Sequence, residues 1–151
     1  MASTMPESSD RPLILLVDDE PSVRQVMART LTDRGYDVRT AADGESAITI
    51  LEGLRILPAI AIVDLEMAGV GGEELARTLA RRYPEVLVIF MTGHFPRYRP
   101  AYLPGPIMQK PFGAEQLCEM VGSLLTAATG VRSQVDGALT RHPMDPGAVP
   151  T

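Results

Sequence analysis

A small set of residues whose side chains could do chemistry follows the predicted strands of this sequence. In chain order they are Asp18, Asp19, Glu20, Asp64, Thr92 and Lys110. Stretches that are apolar on both faces predict strands covered on both sides, as in a parallel sheet. Ligands of an open parallel sheet bind beyond the carboxyl ends of its strands. We therefore expect these side chains to converge at one edge of a sheet.

The expected cluster joins carboxylates to one hydroxyl and one ammonium group, a combination suited to phosphoryl transfer. Crowded carboxylates repel each other unless a cation neutralises them, and Mg²⁺ binds such groups while keeping several waters. An aspartate can act as a nucleophile and form an acyl phosphate. A lysine can hold the oxygens of the transferred group. A threonine hydroxyl can bond a phosphate oxygen once the phosphate is present, which suits a switch.

The spacing of apolar residues predicts the strands and helices that position this cluster. Strands are expected at Leu13–Val17, Tyr36–Thr40, Ala59–Val63, Val86–Met91 and Pro106–Gln109. Helices are expected after Pro21 with a stop at Gly35, after a cap at Asp43, over Glu73–Arg82, and over about Ala114–Ala128. Repeated strand–helix units of this length predict an α/β fold, an open five-stranded parallel sheet that is doubly wound.

Two segments interrupt this alternation. Four prolines lie between Thr92 and Lys110, too many for a helix interior, so the fourth helix is expected to be reduced or missing. Residues 129–151 are rich in Gly, Pro and polar residues and predict a disordered tail, too short for an output domain. We therefore expect a flexible extension over residues 1–11, one domain over 12–128, and a tail over 129–151.

Composition limits the classes of protein that fit. The chain has 151 residues, 45% of them apolar, which is enough for the core of one domain. A net charge of −5 argues against direct DNA binding through a basic surface. The single cysteine excludes an internal disulfide. Neither a secretory signal nor an apolar run of the roughly 18 residues that a membrane helix needs is visible, so a cytoplasmic location without membrane partners is expected.

Taken together, the motifs resemble the receiver domain of two-component response regulators. The resemblance extends over about residues 12–126 and is carried by Leu16–Glu20, Val63–Met67 with Gly72, Met91–Gly93 and Lys110–Phe112. It implies a flavodoxin-like fold and a cis peptide before Pro111. It further implies that Asp64 is the phosphoacceptor, that Lys110 contacts the phosphoryl group and that Thr92 reports it. The Mg²⁺ ligands that it implies are Asp18, Asp19, Asp64 and the backbone carbonyl of Glu66.

The sequence also departs from the pattern of that family. Ile107 stands where many receivers have an aromatic switch residue, and Ala68 replaces the usual proline after the phosphoacceptor. The proline-rich stretch after Phe90–Gly93 resembles a subset of receivers, often single-domain, with a fluid or missing fourth helix. Glu66 and His94 would flank the phosphoryl group, where they either tune the access of water or are solvated loop residues.

The leading interpretation is a stand-alone receiver. It would take a phosphoryl group from the phosphohistidine of a sensor histidine kinase or a histidine phosphotransfer protein, and then change its binding to a downstream protein partner. It would not be a conventional enzyme, although it would catalyse its own phosphorylation and dephosphorylation. One alternative is a receiver-like binding module that is never phosphorylated. A phosphatase or mutase is disfavoured, because Asp18 and Asp19 are adjacent and no insertion is long enough for a substrate cap.

Overall fold

The computed structural model of the chain describes residues 11–67, 71–93, 103 and 105–141, with side chains as far as residue 128. In chain order the elements are β1 (Leu13–Val17), α1 (Pro21–Asp33), β2 (Asp37–Ala41), α2 (Gly44–Gly53), β3 (Ile60–Asp64), α3 (Gly72–Arg82), β4 (Leu87–Thr92), β5 (Ile107–Gln109) and α4 (Ala114–Arg141). The contacts of the chain divide it into one unit that ends at Cys118 and another that begins at Glu119. The sheet and all the predicted site residues belong to the first unit.

The five strands form one parallel sheet in the order β2-β1-β3-β4-β5. This confirms the doubly wound parallel sheet that the sequence predicts. The chain first places β2 on one side of β1. It then crosses to the other side of β1, where β3, β4 and β5 follow in order. Loops that leave β1 and β3 therefore diverge, and they open a crevice at the carboxyl ends of these two strands.

The core lies on both faces of the central strands. Residues 14–17 of β1 and 60–63 of β3 have no exposed side-chain surface. On one face, Leu15 and Val63 pack in a cluster with Leu51 of α2 and Leu75 of α3. Each such side chain contributes about 1.5–3 kcal/mol when it is fully buried. A dry, close-packed interior holds the strand ends, and the polar groups on them, in one arrangement.

Local signals set several of the element boundaries. The Asp43 carboxylate accepts a hydrogen bond from the Ser46 N–H at 2.7 Å, which caps α2 and lowers the pKa of Asp43. Gly35 follows α1 with φ of 98°, a conformation that favours glycine. The peptide bond between Lys110 and Pro111 is cis, as the resemblance implies. The observed bounds of β2, β3 and β4 are each shifted by one residue from the expected ones, and the first residues of β5 and α3 also differ by one.

The predicted end of the last helix at about Ala128 is wrong, because α4 continues to Arg141. The tail over 129–151 is therefore helical in its first part, and residues 142–151 lie outside the described range. Gly130 and Gly137 each cost a helix about 1 kcal/mol, but no proline occurs between Pro111 and Pro143 to end it. The helix that the sequence predicts to be reduced or missing is a different one and would lie between β4 and β5. Most residues of that segment lie outside the described range. None of the helices described is long and apolar enough to cross a membrane.

Gly72, the first residue of α3, allows this helix to lie directly against the end of β3. A Cβ at this position would collide with the carbonyl oxygen of Asp64 and the Cα of Leu65. We expect Gly72→Ala to lower the free energy of unfolding by about 1–3 kcal/mol, because the helix must move away from the strand. Urea denaturation measures this change.

The matched control is Gly53→Ala at the end of α2, where an added Cβ meets nothing within 4 Å. That substitution should leave stability unchanged or raise it by up to about 1 kcal/mol. Equal effects of the two substitutions would contradict the close approach at Gly72.

Candidate functional site

Asp18 extends β1 into the crevice and is completely buried. Its backbone N–H donates to the carbonyl of Ala41 at 3.2 Å, which ties the end of β1 to β2. Its Oδ1 accepts a hydrogen bond from the Glu20 N–H at 2.9 Å, and its Oδ2 accepts one from Lys110 Nζ at 3.3 Å. A buried carboxylate is stable only when such donors surround it. Asp18 is therefore a fixed anion of the site.

Asp64, at the end of β3, has the same kind of environment and is 3% exposed. Its Oδ1 accepts a hydrogen bond from the Glu66 N–H at 2.9 Å, and its Oδ2 accepts one from Lys110 Nζ at 3.1 Å. Burial raises the pKa of Asp64 and the charge of Asp18 raises it further. The bonds from Glu66 and Lys110 offset only part of this, so the pKa lies above its ordinary value.

Lys110, directly after β5, places its ammonium group between these two carboxylates. Its backbone N–H donates to the Thr92 carbonyl at 2.8 Å, which holds the residue at the end of β4. Burial alone would lower the pKa of Lys110. The hydrogen bond and charge of Asp64, together with those of Asp18, outweigh burial and raise the pKa above its ordinary value. Lys110 is also the single lysine among 14 basic residues of the chain, and its compact charge fits where a planar guanidinium would need more room.

Asp18, Asp19 and Asp64 offer oxygens that all lie within 4.8 Å of one another. The side chains of Asp18 and Asp64 are buried, whereas Asp19 is exposed. These three carboxylates and the Lys110 ammonium leave two negative charges, which one divalent cation would balance. Carboxylate oxygens are the ligands that Mg²⁺ prefers, so this donor set fits the ion.

Thr92 ends β4, and the structure links it to Glu66. The Thr92 hydroxyl donates to Glu66 Oε2 at 2.6 Å, and the Gly93 N–H donates to Glu66 Oε1 at 3.1 Å. The sequence predicts a backbone role and a flanking position for Glu66, but it does not predict this side-chain contact. No signal in the sequence predicts the contact, because it depends on β3 and β4 being neighbours in the sheet. The structure thus brings together five of the six predicted side chains, those of Asp18, Asp19, Asp64, Thr92 and Lys110. The carboxylate of the sixth, Glu20, is outside the carboxylate cluster and contacts the Ser22 hydroxyl at 3.5 Å.

Other residues singled out in the sequence contribute less. Ile107 begins β5, is half-buried and packs against the core cluster, so here it has a packing role. Cys118 is a buried free cysteine, and burial raises the pKa of its thiol. Ala68 and His94 lie outside the described residues.

Comparison with known proteins gives a consistent result. The family model described as "response regulator receiver domain" matches residues 14–122. The sensor kinase CckA of Brucella abortus is 36% identical over 116 residues, which are 74% of this chain and 12% of that protein. The positive alginate biosynthesis regulatory protein of Pseudomonas aeruginosa is 34% identical over 142 residues, which are 91% of this chain and 55% of that protein. The chain therefore spans about half the length of these relatives or less, and its stand-alone organisation stays a prediction.

Solved structures of receiver domains have the same fold as this chain. The response regulator TrrA of Thermotoga maritima, in complex with Mg²⁺-BeF, is 30% identical, with a TM-score of 0.66 over 75% of this chain and 98% of that chain. The receiver domain of the hybrid histidine kinase CckA is 33% identical, with a TM-score of 0.63 over 74% of this chain and 96% of that chain. Both chains are covered almost completely by this one.

The Lys110 amine can be titrated alone, because the chain contains no other lysine. We expect NMR of the isotope-labelled side chain to give a pKa above the ordinary value of 10.5. A pKa raised in the folded state means that the amine contributes stability below its unfolded pKa. This contribution is lost as the pH rises through the folded pKa.

Two variants test the cause of that shift. Asp64→Asn should lower the pKa of Lys110, since the amide keeps no charge beside the ammonium group. Asp37→Asn is the control, because Asp37 lies 3.9 Å from Arg11 at the other end of the strands and does not contact Lys110. An unshifted Lys110, or equal changes in both variants, would contradict the ion pairs described above.

Proposed function

The chain belongs to the response regulator receiver family, and from this premise we propose that it accepts a phosphoryl group on Asp64 and then changes its affinity for a protein partner. The observation that carries the proposal is the setting of Asp64. Its carboxylate lies at the carboxyl edge of the sheet, between the Lys110 ammonium and the Glu66 N–H, and beside two further carboxylates. This setting supplies a nucleophile together with donors for an incoming phosphate.

In the proposed transfer, a carboxylate oxygen of Asp64 attacks the phosphorus of a phosphohistidine. The new P–O bond forms as the P–N bond breaks, and the donor imidazole keeps the electron pair and takes up a proton. Lys110 and the Glu66 N–H stabilise the negative charge on the phosphoryl oxygens. Mg²⁺, held by Asp18, Asp19, Asp64 and the backbone carbonyl of Glu66, would offset the remaining charge.

The second half of the cycle is hydrolysis of the phosphorylated Asp64. A water molecule attacks the phosphorus, the P–O bond to Asp64 breaks, and inorganic phosphate leaves with regeneration of the carboxylate. Since the output of this cycle is the phosphorylated state of the protein itself and not a converted substrate, we propose a switch rather than a conventional enzyme. Thr92 is proposed as the hydroxyl that bonds the phosphoryl group and transmits its presence to the end of β4.

The proposed partners are proteins. They are a sensor histidine kinase or a histidine phosphotransfer protein as donor, and a downstream protein as target. Direct DNA binding is not proposed, because a chain with a net charge of −5 offers little attraction to phosphates. The proposed location is the cytoplasm.

An apolar groove beside the site suits the docking of the donor. It has a volume of about 410 Å³. Its lining is Ser22, Val23, Val26, Met27, Lys110, Pro111 and Phe112. Val26 of α1 is 65% exposed, and among the described residues Ile56 is the one other large apolar side chain that is as exposed. A donor that covers this groove would bring its phosphohistidine next to Lys110, and burial of apolar surface would supply affinity.

Phosphorylation is tested by intact-mass spectrometry after incubation with Mg²⁺ and a small phosphodonor such as acetyl phosphate. We expect the mass of one phosphoryl group on the native chain, and none in Asp64→Asn or in the presence of EDTA. If a cognate kinase also failed to modify the native chain while a partner still bound it, the binding-module alternative would replace this proposal.

The docking groove is tested with Val26→Asp. A buried charge opposes association, so we expect transfer from a histidine kinase to slow by at least about tenfold, whereas labelling by acetyl phosphate stays the same. Ile56→Asp is the matched control, because Ile56 is 71% exposed and does not line the groove. Equal slowing by both variants, or none by Val26→Asp, would exclude the groove as the docking surface.

A further inference from the structure

The end of β4 presents two hydrogen-bond donors, and a carboxylate of the chain itself already occupies both. Glu66 accepts from the Thr92 hydroxyl at 2.6 Å and from the Gly93 N–H at 3.1 Å, with one oxygen for each donor. Thr92 is only 7% exposed, whereas Glu66 is exposed, so the bond between them is partly buried. Bonds to a charged acceptor at such a short distance are about twice as strong as neutral ones. The contact is therefore a defined feature of the unphosphorylated protein.

A phosphoryl group on Asp64 would need the same donors. Asp64 lies opposite Met91 in the register of β3 and β4, so Thr92 and Gly93 come directly beyond that level. A hydroxyl carries one proton and can donate it to only one acceptor at a time. Thr92 can thus bond either the Glu66 carboxylate or a phosphoryl oxygen, but not both.

Charge makes the two states still less compatible. The phosphoryl group of an acyl phosphate carries about −1.5 to −2 charges near neutral pH, in place of the single charge of the free Asp64 carboxylate, and the Glu66 carboxylate would lie beside it. The backbone N–H of Glu66 already bonds Asp64 at 2.9 Å, so the residue cannot move away as a whole without loss of that bond. Only its side chain can withdraw.

Glu20 offers a comparison within the same molecule. Glu20 follows Asp18 as Glu66 follows Asp64, and each donates its backbone N–H to that aspartate at 2.9 Å. The Glu20 carboxylate, however, accepts from the Ser22 hydroxyl at 3.5 Å, a weak and exposed contact. Two glutamates in equivalent positions therefore differ in whether they hold a donor of the β4 end.

We propose that the Glu66 carboxylate competes with the phosphoryl group for the Thr92 hydroxyl and the Gly93 N–H, and so stabilises the unphosphorylated state. Glu66 is a positioning residue in this scheme, because it acts through Thr92. The inference rests on the proposed function, in which Asp64 is the phosphoacceptor. It adds that phosphorylation must displace a specific side chain before the switch can form.

The test compares Glu66→Gln with Glu20→Gln, which removes the same charge from the equivalent turn. The dissociation constant of beryllofluoride, a stable phosphoryl analogue, is measured with Mg²⁺ by ¹⁹F NMR. We expect Glu66→Gln to bind the analogue about tenfold more tightly, since a neutral amide competes less well, which corresponds to about 1.4 kcal/mol. Glu20→Gln should change the constant by less than about threefold, through screened long-range charge alone.

A second readout follows the contact without any phosphoryl chemistry. In the free protein, the amide proton of Gly93 should shift in Glu66→Gln and stay in place in Glu20→Gln. In a Thr92→Val background, which lacks the hydroxyl, the effect of Glu66→Gln on beryllofluoride binding should become smaller, because only the Gly93 contact and the charge repulsion remain.

The possible outcomes distinguish a failure of the proposed competition from a failure of the proposed function. If Glu66→Gln and Glu20→Gln alter binding equally, or if the effect persists in full without the Thr92 hydroxyl, the competition is overturned and the proposed function stands. Weaker binding by Glu66→Gln overturns it as well. If the native chain does not bind beryllofluoride with Mg²⁺, the proposed function fails, and the inference fails with it.

Discussion

The geometry of this site depends on one electrostatic constraint, the pairing of two buried carboxylates with a single ammonium group. Asp18 and Asp64 end adjacent strands, and their oxygens are close enough to repel each other strongly in a medium from which water is excluded. Lys110 comes from the far strand of the sheet and bonds both. Its backbone is held in turn by the carbonyl of Thr92. The ends of four strands are therefore linked by the contacts of one lysine.

The parallel sheet positions these three charged groups and buries the two carboxylates. Buried apolar strands place their polar ends at one edge because every strand runs in the same direction. The reversal of strand order between β1 and β3 opens the crevice at that edge. The glycine at the start of α3 lets the helix pack against the backbone of Asp64 and Leu65. The apolar core thus fixes the position of charges that would otherwise move apart.

The site contains two anion-binding arrangements that share one residue. Around Asp64, the ammonium group and the Glu66 N–H are directed at a carboxylate. At the end of β4, a hydroxyl and an N–H are directed at the carboxylate of Glu66. A phosphoryl group is larger and more highly charged than either carboxylate, so it would draw on both sets of donors. In the proposed cycle, phosphorylation of Asp64 would leave Thr92 to choose between two partners, which is the kind of two-state element that a switch requires.

Local sequence was sufficient for the order and type of the elements and for most of the site. Apolar runs mark β1 and β3, and the residue after each run is a strand-end aspartate, because the period of a buried strand and its polar end are both local properties. Pro21, Gly35 and Asp43 likewise act on their own helices. Three features were decided only by the tertiary structure. Strand order brings Lys110 to Asp18, strand register brings the Glu66 side chain to Thr92, and α4 continues past two glycines to Arg141. The first two depend on which strands become neighbours and at what level, and no pattern within one segment of chain contains that information. The third depends on small differences in helix propensity between residues. These differences are too small for a local sequence pattern to locate the end of a helix.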